Sequence, residues 1–234
     1  MTQTLIHRRQ QSPTRGNSLA NGDHLDRPTF HRLYEDTPES FRAELIGGIV
    51  YVASPVSRQH SNATATFTGW LVNYRAMTPG VKSPTDGTVL LGEFDEVQPD
   101  CMLYVLPQFG GRLCYQDKYL AGGPELVCEV ATTSAAIDLH RKLKSYQQAG
   151  VLEYLVLTTD PAELFWFHRV DGKFERLDLP RDGTFKSAIF PGLWLNVEAI
   201  ISDDTRAVLA TLQRGLADES HAKFVAELES RRTS

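Results

Sequence analysis

The chain has 234 residues, 41% of them hydrophobic and 23% charged, with a formal net charge of -5. That suffices for one core-bearing domain with extensions, and the acidic balance weighs against strong nonspecific binding to nucleic acid. The first thirty residues hold no apolar run long enough for a signal peptide, and no stretch approaches a membrane span.

Residues 1–27 are rich in Arg, Gln, Ser, Asn and Gly, which predicts a flexible tail. Its arginines have two readings, a solvated tail or contact with a phosphate backbone. Thr29, just after Pro28, predicts the cap of a short helix through Tyr34. Residues 41–53 predict a hairpin, with Gly47-Gly48 at the tight turn and Glu44 on the first strand. Ser57 is placed to cap a helix that carries Ala63, Phe67, Trp70, Leu71 and Tyr74 at helical spacing and ends at Thr78-Pro79-Gly80. Short strands follow at 81–83 and 89–91. The acidic run Glu93, Asp95, Glu96 reads as a solvated loop. Residues 107–124 are glycine-rich and read as one long loop near the strand ends that hold the candidate carboxylates.

Residues 152–159 read as a buried strand. Turns at Asp160-Pro161 and Asp171-Gly172 then lead through 164–169 and 174–179, an antiparallel meander. One more strand is expected at 185–190. Residues 196–231 read as helical with a break near Gly215. Strands alternating with helices before residue 155, and hairpins after it, predict an α/β fold with a mixed central β-sheet flanked by helices. The expected divisions are a tail at 1–27, a domain at 28–202 and a helical extension at 203–234. Cys101, Cys114 and Cys128 match no zinc spacing and read as reduced thiols, which points to a cytoplasmic compartment.

The chemistry-bearing stretch runs from Gln98 to Gly150. Gln98-Pro99-Asp100 opens one apolar strand, and Glu129 stands inside another, flanked by Val127, Cys128 and Val130. A lone carboxylate in a core strand is costly unless it is paired, hydrogen-bonded or bound to a cation. Two on neighbouring strands can share a divalent cation, because hard cations prefer oxygen. The next segment reads as a helix. At about 100° per residue, Leu139, Leu143, Tyr146 and Ala149 share the sheet-facing arc. Lys142 falls within that arc and Lys144 opposite it. An inward ammonium needs an anion, and Asp100 and Glu129 are the candidates. Tyr146 reads as core, Asp138 as a helix-flanking charge, Gln98 as a strand residue, and His60 as surface or packing.

Together these residues resemble the PD-(D/E)xK nuclease superfamily, and within it the Uma-type restriction-endonuclease-like branch, long labelled a domain of unknown function. Glu44-Leu45-Ile46-Gly47-Gly48 matches the opening hairpin, Pro99-Asp100 the PD element and Glu129 the acid of ExK. His60 falls where that branch often has a histidine. Asp138, Lys142, Tyr146 and Gly150 match the following helix, and Phe190-Pro191-Gly192-Leu193 the closing segment. Ala131 departs from the pattern, since lysine is expected two residues after Glu129. The resemblance implies a lysine migrated to the helix, with Lys142 at the matching position, and a sheet sandwiched by helices with the site at one edge.

The expected activity is metal-dependent hydrolysis of DNA phosphodiesters. Asp100, Glu129 and the Val130 carbonyl would hold Mg²⁺ or Mn²⁺, Lys142 would orient water or neutralise phosphate, and Glu44 would be an outer acid or a ligand to a second metal. A homodimer is the expected state, since cutting both strands commonly takes two symmetric sites. The alternative is a catalytically silent nuclease fold that serves as a binding or structural module.

Overall fold

The computed structural model describes residues 18–232. The architecture is mixed α/β, as the alternation of strands and helices predicts. The central sheet is built from β3 (Val81–Lys82), β6 (Cys101–Val105), β9 (Leu126–Ala131), β10 (Glu153–Thr159), β11 (Ala162–Val170) and β12 (Lys173–Arg176). Their spatial order is β12-β11-β10-β9-β6-β3, and every neighbouring pair is antiparallel except β9 and β10. That parallel pair needs a crossover. The chain supplies it as a π-helical turn, Ile137–Lys142, running into α3 (Leu143–Ala149).

A second sheet holds β1 (Ala43–Ile46), β2 (Ile49–Val52), β4 (Val89–Leu90), β5 (Glu96–Val97), β7 (Cys114–Gln116) and β8 (Tyr119–Ala121), in the order β2-β1-β5-β4-β8-β7. Strand alternation sorts the core into two layers. Leu126, Cys128 and Val130 pack with Phe67, Trp70 and Tyr74 of α2 (Arg58–Ala76). Val127, Ala131 and Met102 face the other way, toward Tyr146 of α3 and Ile46, Val89 and Val97 of the second sheet. Glu129 shares that second face by its register between Val127 and Ala131.

Several expectations are corrected. The first 17 residues of the expected tail lie outside the described residues. Within the remainder, Leu19 is buried and Gly22 donates its N–H to the Val50 carbonyl, so this stretch packs on the hairpin. The first helix, α1 (Arg27–Glu35), is capped by Asp26 rather than Thr29; the Asp26 carboxylate accepts the Thr29 amide. The 107–124 segment contains the β7–β8 hairpin. Glu125 ties it down through the Val105 and Arg112 amides, at the end of β9 away from Glu129. The acidic run is not fully solvated: Glu96 is buried against His31, and Asp95 accepts from Ser145 and from the Gly47 amide. The strand expected at 185–190 is a short one, β13 (Thr184–Lys186), paired with β14 (Trp194–Asn196).

The C-terminal region forms α4 (Val197–Ile201), α5 (Thr205–Leu216) and α6 (Glu219–Arg231). Val208, Leu212 and Leu228 are buried in the same core as α2, so these helices complete a layer of the domain. The expected break near Gly215 falls between α5 and α6, and Gly215 itself, inside α5, is a glycine for a steric reason. A Cβ there would stand 2.2 Å from the Gly192 carbonyl oxygen, so α5 meets that turn backbone to backbone. No helix among the described residues is long and apolar enough to cross a membrane.

Candidate active site

β6 and β9 pair with Cys101 opposite Cys128. One step further along that register sets Asp100 opposite Glu129, on the same face. The Val130 amide closes the junction by donating to Asp100 Oδ2 at 2.7 Å. The proline before Asp100 has no N–H to give to the ladder; separately, the Val130 N–H of the neighbouring strand is satisfied by the Asp100 side chain.

Glu129 is buried, and its Oε1 takes two bonds. Lys142 Nζ donates at 3.0 Å and Tyr146 Oη at 2.7 Å. Lys142 also lies 2.9 Å from Glu44 Oε2 and 3.7 Å from Asp138 Oδ1. Glu44 is fixed from its other oxygen, which accepts the Gln98 amide at 2.7 Å. Thus hairpin, sheet and crossover each send one carboxylate to a single ammonium. On the outer side of Asp100, His60 Nε2 stands 3.4 Å from Oδ2. His60 belongs to the first turn of α2, which Ser57 caps.

The helix-wheel expectation for the crossover holds for its lysines, since Lys142 is buried and Lys144 exposed. It fails for the helix type, because residues 137–142 form a π-turn. Such wide turns concentrate at functional sites. Asp138 and Tyr146 flank Lys142 at four-residue spacing and both reach the cluster. Asp138 was expected as a flanking charge and Tyr146 as core. The four-residue spacing of Asp138, Lys142 and Tyr146 was the signal that could have found them. Gln98 contributes its amide N–H to Glu44, while its side chain donates to Tyr34 and Thr88.

Four carboxylates, Glu44, Asp100, Glu129 and Asp138, surround one lysine and one histidine. The charges do not balance. Burial pushes the Glu129 carboxyl well above its ordinary range; Lys142 pulls it back, while Asp100, Asp138 and Glu44 push it further up. Burial likewise raises Asp138 against the pull of Lys142. For Lys142 burial works against the charge, but Glu129, Glu44 and Asp138 outweigh it and hold the ammonium protonated. The Asp100 carboxylate 3.4 Å from His60 raises the imidazole pKa over the opposing effect of burial. One ammonium cannot neutralise three carboxylates in a dry pocket, so the cluster keeps a proton or takes a cation.

Among the described residues no three His, Cys, Asp or Glu side chains are grouped so as to hold a metal ion. The oxygen chemistry still fits a site made of two carboxylates and a backbone carbonyl. Asp100 Oδ1 and Glu129 Oε2 accept no hydrogen bond among the described residues, while their sister oxygens are both committed. Hard, uncommitted carboxylate oxygens on facing strands are the donors that Mg²⁺ or Mn²⁺ prefers.

A family model described as "Putative restriction endonuclease", Uma2, matches residues 27–198. No curated protein matches the chain. Among solved structures, "a putative nuclease belonging to DUF820" from Anabaena variabilis ATCC 29413 aligns with a TM-score of 0.59 at 13% identity. The alignment covers 74% of this chain and 97% of that one. At that identity the likeness speaks for the fold alone.

Proposed function

The chain belongs to the Uma2 family, and from that premise we propose that it is a metal-dependent endonuclease hydrolysing DNA phosphodiesters. One observation carries the reading. Glu129 and Asp100, facing each other across β6 and β9, each have one oxygen held by the protein and one left over.

Asp100, Glu129 and the Val130 carbonyl are the residues that would hold Mg²⁺ or Mn²⁺. When bound, such a cation lowers the pKa of water and offsets charge on the phosphate. The protein's own groups do the positioning. Tyr146 and Lys142 fix Glu129 by Oε1, and the Val130 amide and His60 fix Asp100 by Oδ2. Lys142 stays an ammonium and would orient the attacking water or a phosphate oxygen. Glu44 and Asp138 keep that ammonium charged and aimed.

The test is nicking of plasmid DNA in Mn²⁺. Lys142→Met, checked for folding by circular dichroism, is expected to lose nicking, and Lys144→Ala on the solvent face to retain it. Millimolar Mg²⁺ is expected to raise the melting temperature of the wild type, since a ligand bound only by the folded state stabilises it. That shift should vanish in the double variant Asp100→Asn, Glu129→Gln; a shift that persists there refers the cation to another site. The rival, a silent fold, is favoured by the triple pairing of Lys142, which satisfies the lysine with no substrate present. Wild-type protein that leaves single-stranded, duplex and branched DNA intact in both metals would decide for the rival.

A further inference from the structure

Asp100 also lines a cavity of about 680 Å³ on the outer side of α2, together with His60, Thr64, Ala65, Gly69 and Asp86. It is an open groove, with Ser61, Ala65, Thr85 and Asp86 of its lining exposed, and its volume is in the range of small-ligand sites, roughly 300–1,000 Å³. Three features define what it takes. First, neither lysine nor arginine contributes to its lining, so apart from His60 it offers a phosphate no cationic partner. Second, Asp86 makes no side-chain hydrogen bond or ion pair among the described residues. It sits at φ 51°, with its amide held by the Pro99 carbonyl. Its backbone is held and its exposed carboxylate is an uncommitted acceptor. Third, Gly69 lies inside the 19-residue helix α2, where glycine weakens a helix. A Cβ at Gly69 would meet nothing within 4 Å. Packing inside the protein therefore gives no reason for a glycine there, and its absence of a side chain leaves the floor of the groove open.

We propose that this cavity receives the nucleobase next to the scissile phosphodiester, unstacked from its neighbours, with Asp86 accepting from the base's amino edge. This inference rests on the phosphodiesterase reading and specifies its substrate as a single strand or a locally opened duplex. A flat, neutral group with N–H donors suits a small-residue floor, threonine hydroxyls and a free carboxylate. Carboxylates accept from the cytosine amino group in the same way when base edges are read directly. Extrusion of a base costs least where the strand is already unpaired.

The experiment compares single-stranded oligonucleotides carrying cytosine, thymine or an abasic residue beside the cleaved bond, in Mn²⁺. For the wild type, kcat/KM is expected to fall about tenfold on removal of the base. In Gly69→Phe, which fills the floor, the ratio between the normal and abasic strands should drop toward one. In Asp86→Asn the preference for cytosine over thymine should be lost. Gly69→Ala serves as the folding control and should raise the melting temperature by about 2–4 °C. Cleavage by the wild type with these ratios unchanged in both variants overturns the cavity assignment and leaves the nuclease standing. Absence of cleavage, with binding of a fluorescent oligonucleotide that weakens in Gly69→Phe, overturns the nuclease and supports the base cavity. Absence of both cleavage and binding overturns both.

Discussion

Replacing Lys142 by methionine keeps the stem of the side chain and removes only the ammonium. In the folded protein that strands Glu44, Glu129 and Asp138, whose oxygens stand 2.9, 3.0 and 3.7 Å from Nζ. Removing one partner from a buried ion pair costs about 3–5 kcal/mol, because the other partner stays buried and unpaired. In a chain of this size that corresponds to a fall in melting temperature of roughly 6–20 °C. The loss should depend on pH. Burial raises Glu129 above its ordinary value of 4.5 and Asp138 above 3.8, and Lys142 lowers both. Without the ammonium both rise further. A carboxyl whose folded pKa exceeds its unfolded one stabilises fully below the unfolded value, and that contribution is lost as pH rises through the folded value. The deficit should therefore be largest at pH 8 and shrink toward pH 5, as the stranded carboxyls take up protons. Urea denaturation of both proteins in EDTA at the two pH values measures it. A deficit under about 1 kcal/mol, the size of an exposed pair, or one that does not change between pH 8 and pH 5, would refute the enclosed-lysine argument.

Glu153 gives a second pH dependence, away from the cluster. It is fully buried at the start of β10, accepting from Ser187 Oγ at 2.5 Å and the Ala188 amide at 2.9 Å, and burial raises its carboxyl from 4.5 to about 7. Its contribution is complete below about pH 4.5 and is lost as pH rises through about 7, on the order of 3 kcal/mol in all. Glu153→Gln should flatten the stability profile between pH 5 and pH 8, and equal slopes in the two proteins would remove Glu153 as its cause. A homodimer, which would supply a second centre for the second strand, predicts twice the chain mass by light scattering at micromolar concentration; a monomer mass would dismiss it.

Much of this fold is written locally. Gly47-Gly48 sets the β1–β2 turn, the apolar period of residues 58–76 gives α2 and its inward face, and the runs at 126–131 and 153–159 give the two central strands. The site was legible where a residue contradicts its own surroundings. Glu129 is a charge inside a core strand, and Lys142 a charge on a sheet-facing arc. Periodicity exposes both without any knowledge of the partner. What the sequence could not reveal are pairings between distant segments. The β6–β9 register, which sets Asp100 opposite Glu129, follows from how two strands 25 residues apart align, and the Gln98 amide bond to Glu44 from where the hairpin docks. Local periodicity also misjudged the charges whose partners lie far along the chain. Glu96 reads as solvated until His31 is brought beside it, and residues 107–124 read as loop until β8 pairs with β4. Hydrophobic period and turn chemistry act within a few residues and are fixed by the sequence alone. The meeting of three carboxylates around one lysine is decided by the layered packing, because only the assembled sheets exclude the water that would otherwise separate those charges.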